Sequence, residues 1–172
     1  MNLTINLTRT IFDKLNTLGA WVSMLPLRLL LAWEFWESGV EKFRGENWFT
    51  QIQDDFPFPF NVIPTDISWF ISTWAELLGA IALVIGLGTR FSAASLIVLD
   101  IVAWVSVHGD NGYNVSGNGF KLPLIYLVML IPLLLTGPGK ASLDALIQQR
   151  LRYRGREYPG GTQARRMAKE TG

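Results

Sequence analysis

Three carboxylates, Glu34, Glu37 and Glu41, stand inside the otherwise apolar stretch LLLAWEFWESGVEKF. On a helix turning about 100° per residue they fall within about 60° of one another and form one stripe with Ser38. Glu76 and Asp100 interrupt two further apolar blocks, and His108, the single histidine, follows the second of these. Carboxylates and imidazole exchange protons and hold the polar end of a ligand. At bilayer depth each costs several kcal/mol unless it faces a bundle interior, pairs or becomes neutral. Glu34, Glu37, Glu76 and His108 are therefore the candidates for a proton-exchanging pocket.

Heights along the helices sharpen the reading. At about 1.5 Å per residue from Trp21 and Arg90, Glu34 and Glu76 both lie roughly 20 Å in. Glu76 is thus expected to meet a second carboxylate, Glu34 or Glu37, with one of the two holding a proton. Asp100 lies roughly 15 Å in, and Arg28 is the cation near its level. A structural ion pair Arg28–Asp100 that fixes helix register is the alternative to a role in the pocket. Glu41, Lys42 and Arg44 read as an interfacial charge cluster. His108 reads equally as a cap near a loop. One histidine without cysteine makes a poor metal site, and no metal is expected.

The elements that position these groups follow from hydropathy. Nearly half of the residues are apolar and the mean hydropathy is positive. The apolar residues gather in blocks at about 21–43, 68–88, 91–107 and 120–136, each close to the twenty or so residues that cross a hydrocarbon core. The expectation is an all-α polytopic membrane protein, a four-transmembrane-helix bundle spanning 21–146. Residues 1–20 place Ile11, Leu15 and Leu18 on one face and read as an amphipathic interfacial helix rather than a cleaved signal peptide. Residues 147–172 form a basic tail, disordered or held on anionic lipid. The chain has no cysteine, which excludes a thiol relay and a cysteine-ligated cluster within it.

Basic residues set the orientation. Arg9, Lys14, Arg90, Lys140 and the tail fall on one side of a four-helix path, against Lys42, Arg44 and Lys121 on the other. The positive-inside rule then places both termini in the cytoplasm of a bacterial cell and the carboxylate stripe toward the periplasm. The loop GENWFTQIQDDFPFPFNVIPTDISW reads as a semi-rigid segment at the outer interface. On α-helical spacing Glu76 heads a line of small residues, Gly79, Ala82, Gly86 and Thr89, along which another helix can approach closely.

The ordered segments LRLLLAWEFWESGVEKF, ELLGAIALVIGLGTR, VSVH and LLLTGPGKASLDAL together resemble the DoxX family of small inner-membrane proteins. The likeness runs from about Pro26 to Leu146. It carries over Gly39 and Lys42, Glu76 and Gly79, Thr89 and Arg90, and His108. The family is related to a subunit of a thiosulfate:quinone oxidoreductase, while some members stand beside systems that make copper-binding peptides. The resemblance implies a membrane subunit of a quinone-linked oxidoreductase system, acting with a soluble or membrane redox partner. Quinone is then the ligand, with no cofactor bound covalently, and Trp33, Trp36, Trp74 and Trp104 are the aromatics available to its ring. The alternative is a non-enzymatic accessory or transport protein that passes a metal, a proton or a small solute. The lipid bilayer is the expected surrounding, and no nucleic acid is an expected partner.

Overall fold

The computed structural model describes residues 2–156 of the 172-residue chain. The tail expected over 147–172 falls outside the described residues from 157 onward. Six helices account for most of the rest: α1 (Asn2–Val22), α2 (Met24–Arg44), α3 (Thr65–Ile85), α4 (Thr89–Ala103), α5 (Lys121–Thr136) and α6 (Leu143–Arg156). Among the described residues there is no strand. Thr8–Arg44, Thr65–Ile85 and Thr89–Asn111 are long and apolar enough to cross a membrane, and Lys121–Thr136 is a shorter apolar helix.

Local chemistry explains the breaks. Ser23 is still helical in its dihedrals, yet Pro26 has no N–H to return to the preceding turn, so the hydrogen-bond ladder is interrupted between α1 and α2. Ile11, Leu15 and Leu18 of α1 are all exposed. The turn between α3 and α4 is tight because Gly86 and Gly88 both adopt left-handed backbone, at φ 67° and 58°. A Cβ on Gly86 would also lie 2.5 Å from Ser142 Cβ and 2.7 Å from the Arg28 guanidinium. α4 ends in a π-helical turn, Trp104–His108. Pro132 lies inside α5, where the Thr136 hydroxyl donates to its carbonyl at 2.7 Å. α6 crosses residue 147 and remains helical to Arg156, so the segment expected to be irregular begins as a helix.

α2 packs most extensively on α3, and α4 on α5 and α3. Leu31, Ala32, Phe35, Ala80, Leu83, Ala93, Leu96, Leu130 and Leu133 form the core between them. The small residues decide how near the helices come. A Cβ on Gly39 would meet Leu77 at 2.9 Å and Glu76 Cβ at 3.2 Å, and one on Gly79 would meet Leu96 at 3.2 Å. The outer faces are strongly apolar, with Phe70, Leu78, Phe91, Val128 and Leu135 all exposed. Such a surface is stable against lipid and unfavourable against water.

The expected Arg28–Asp100 pair is not formed. Arg28 is 1 % exposed and spends its donors on backbone carbonyls: Leu83 and Val84 at 2.7 Å each, Ala141 at 2.8 Å and Pro138 at 3.1 Å. The last carbonyls of a helix have no intrahelical donor, and α3 ends at Ile85. The guanidinium fork therefore finds a set of acceptors there that no single carboxylate would match, and Asp144 offsets its charge electrostatically.

Candidate functional site

A cavity of about 420 Å³ lies between α2, α3, α4 and α5. α2 contributes Glu34, Phe35, Ser38, Glu41 and Lys42, and α3 contributes Ser68, Ile71, Ser72 and Glu76. From the other side come Val98, Leu99, Asp100, Val102 and Ala103 of α4, with Ser106, Val107 and His108 of the π turn; α5 adds Leu122, Pro123 and Tyr126. The walls are mainly apolar and the polar groups are few, the usual make-up of a small-molecule site.

The loop after α2 closes the cavity. It folds through three short 3-10 turns and lines the cavity with Trp48, Phe49, Ile52, Phe56, Phe60 and Ile63. Phe49 and Phe56 are buried and meet edge to face at 5.1 Å, and Phe49 meets Trp69 at 5.0 Å. Asn47 holds the base of the loop, donating to Asp66 at 2.8 Å and accepting from the Phe49 N–H at 3.0 Å. Gln53 donates to the carbonyls of Asn61 and Ile63 and pins the two arms together.

Inside the cavity the charged groups divide into partnered and unpartnered. Lys42 Nζ lies 2.9 and 3.0 Å from the two Glu76 oxygens and donates to Ser38 Oγ at 2.7 Å. Both side chains are largely buried, at 13 % and 9 % exposed. Lys42 is thus drawn across the seam rather than into an interfacial cluster with Glu41 and Arg44. Glu76 meets a cation where a second carboxylate was expected, because Gly39 brings α2 close enough for Lys42 to reach it. The Tyr126 hydroxyl donates to Glu34 Oε2. His108 Nδ1 lies 2.7 Å from the Asn118 carbonyl, which can only accept, so that nitrogen carries a hydrogen.

Glu34, Glu76 and His108 share the cavity, while Glu37 is exposed on α2 and does not line it. Setting Glu34 at zero, the α2 residues that line the cavity span roughly −20° to 100°, and Glu37 lies at about −60°. Trp33 and Trp36 lie still further round and are exposed, and Trp74 is exposed too. Trp104 stacks on Phe120 at 5.1 Å. None of the four tryptophans expected to face a ring lines the cavity. Phe35, Trp48, Phe49, Phe56, Phe60 and Tyr126 take that place.

Thr89 and Arg90, also carried by the family pattern, lie away from the cavity, at the start of α4. Asp144, at the start of α6, accepts from the N–H groups of Gly88 at 2.9 Å and Thr89 at 3.1 Å, and so caps α4 from a distant part of the chain. Arg90 donates to the Leu135 carbonyl at 3.1 Å. Among residues that the sequence reading passed over, Tyr126 had a usable signal. It is the lone hydroxyl in LPLIYLVMLIPLLL, and a buried hydroxyl needs a partner. The buried loop aromatics had none.

Comparison with known proteins gives a family and a relative. The DoxX family model matches residues 23–109. An uncharacterized protein of Haemophilus influenzae is 56% identical over 136 residues, covering 79% of this chain and 90% of its own length. No solved structure matches the chain.

Proposed function

The chain belongs to the DoxX family of membrane proteins, and from that premise we propose that it is a membrane subunit of a bacterial quinone-linked oxidoreductase system. In this reading α2 to α5 cross the inner membrane four times, α1 lies along its cytoplasmic face, and both termini are cytoplasmic. The cavity then sits in the outer half of the membrane, closed from the periplasm by the aromatic loop.

The cavity carries the reading. Its volume suits a single ring-bearing ligand, its walls are apolar and aromatic, and its few polar groups include both donors and carboxylates. Those features fit a quinone–quinol ring. Phe35, Trp48, Phe49 and Phe60 would hold the ring, Lys42 and Tyr126 would donate to its oxygens, and Asp100 would accept from the hydroxyl of the reduced form. When bound, the quinone supplies two-electron, two-proton chemistry. The residues of this chain bind it, exclude water and exchange protons, and electrons come from a partner subunit.

The test is extraction of the purified protein followed by ultraviolet–visible and lipid analysis. Quinone at near-stoichiometric amount supports the reading. Four carboxylates lining one cavity, Glu34, Glu41, Glu76 and Asp100, also favour a second reading, passage of a proton or small cation. Absence of quinone, together with proton or cation flux in liposomes, would replace the first reading by the second.

A further inference from the structure

We propose that Asp100 is the polar anchor of the cavity, accepting a hydrogen bond from a ligand hydroxyl, and that the site therefore takes the quinol form in preference to the quinone. This rests on the quinone reading of the cavity given above. Three buried side-chain atoms among the described residues lack a hydrogen-bond partner, and two of them, Ser68 Oγ and Asp100 Oδ2, belong to residues that line this cavity. Of the other carboxylates there, Glu76 is engaged by Lys42 and Glu34 by Tyr126, while Glu41 is exposed. Asp100 is 5 % exposed, and Arg28, the cation expected to meet it, is committed to four carbonyls elsewhere.

A buried polar atom without a partner destabilises the protein that carries it, so its presence needs an explanation in a ligand or a function. A carboxyl group always offers acceptor lone pairs, and when protonated it also offers a donor. A hydroxyl both donates and accepts, so a quinol satisfies Asp100 in either protonation state. A quinone carbonyl only accepts and leaves an ionised Asp100 unsatisfied. Substitution of Asp100 should accordingly remove ligand affinity while leaving the empty protein as stable as before, or more so.

The experiment titrates the full chain in lipid nanodiscs with a decyl-substituted benzoquinol under reducing, anaerobic conditions, and separately with the matching benzoquinone. Quenching of tryptophan fluorescence reports binding, since Trp48 lines the cavity. The quinol should bind about tenfold more tightly than the quinone, the worth of one buried hydrogen bond. Asp100→Leu should remove that preference with no fall in Tm. Should this variant accumulate poorly, Asp100→Asn, whose amide accepts from a quinol hydroxyl and also donates to a quinone carbonyl, should likewise remove the preference without loss of Tm. Equal affinity of the wild-type chain for both forms, or a Tm lowered in both variants with the quinol preference retained, would overturn the anchor alone. A wild-type chain that binds neither form would overturn the quinone reading itself.

Discussion

Lys42 and Glu76 are 34 residues apart in the chain and share one largely buried ion pair across the α2–α3 seam. Removing one partner leaves the other charged and desolvated, which costs about 3 kcal/mol or more. Lys42→Met and Glu76→Gln should each lower Tm in detergent. The double variant Lys42→Met with Glu76→Leu should recover much of the loss, because neither charge is left alone. A double-mutant cycle should give a coupling energy above about 1 kcal/mol; strictly additive losses would show that the pair contributes nothing. This pairing also changes what Glu76 can do. Held by a lysine and a seryl neighbour, it orders the wall of the cavity, and the buried carboxylate oxygen left without a partner among the lining residues is that of Asp100.

Between elements, the strongest tie is the Arg28 guanidinium. It joins α2 to the end of α3 and to the segment after α5, at the side of the bundle opposite the aromatic loop. Lysine cannot replace it, because an ammonium carries three donors and no planar fork. Arg28→Gln should destabilise by about 3 kcal/mol, since buried carbonyls lose a charge-assisted donor. Combined with Asp100→Asn, which by itself should not lower stability, the loss should stay the same within about 0.5 kcal/mol, as expected of residues that share no partner. Non-additivity well above that, measured by thermal denaturation, would restore the direct ion pair. The same end of the bundle is reinforced by Asp144 on the first turn of α4, so α6 is fastened to the turn between α3 and α4.

For the whole molecule the prediction concerns orientation in the membrane. The chain has no cysteine, so single cysteines can be introduced without background. Cysteines placed within 46–64 and at Asn114 should react with an impermeant maleimide in intact spheroplasts. Cysteines at Lys140 and Arg154 should react only after permeabilisation. Reaction at Lys140 from the outside would reverse the orientation and put the cavity on the cytoplasmic side. Reaction of Asn114 and Lys140 from the same side would show that α5 does not cross.

How much was legible in the sequence depended on the range of the forces involved. The all-helical class and the apolar helices followed from hydropathy along the chain, a local property. The seven-residue family pattern, from Gly39 to His108, came from ordered motifs that are also local. Glu34, Glu37, Glu76 and His108 were pocket candidates from helix face and depth; Glu34, Glu76 and His108 line one cavity, and Glu37 falls outside it because its angle on α2 lies just beyond the packed arc. Partner choice could not be read at all. Arg28 had Asp100 at its level by counting, yet helix-end carbonyls offered more acceptors. Lys42 looked like a rim charge until the missing side chain at Gly39 let α2 close on α3. The loop aromatics, unpatterned in sequence, were placed by burial against Trp69 and by the hydrogen bonds of Asn47 and Gln53. Periodicity along a helix decides which residues can face inward; which of them meet is decided by the close approach of elements far apart in the chain.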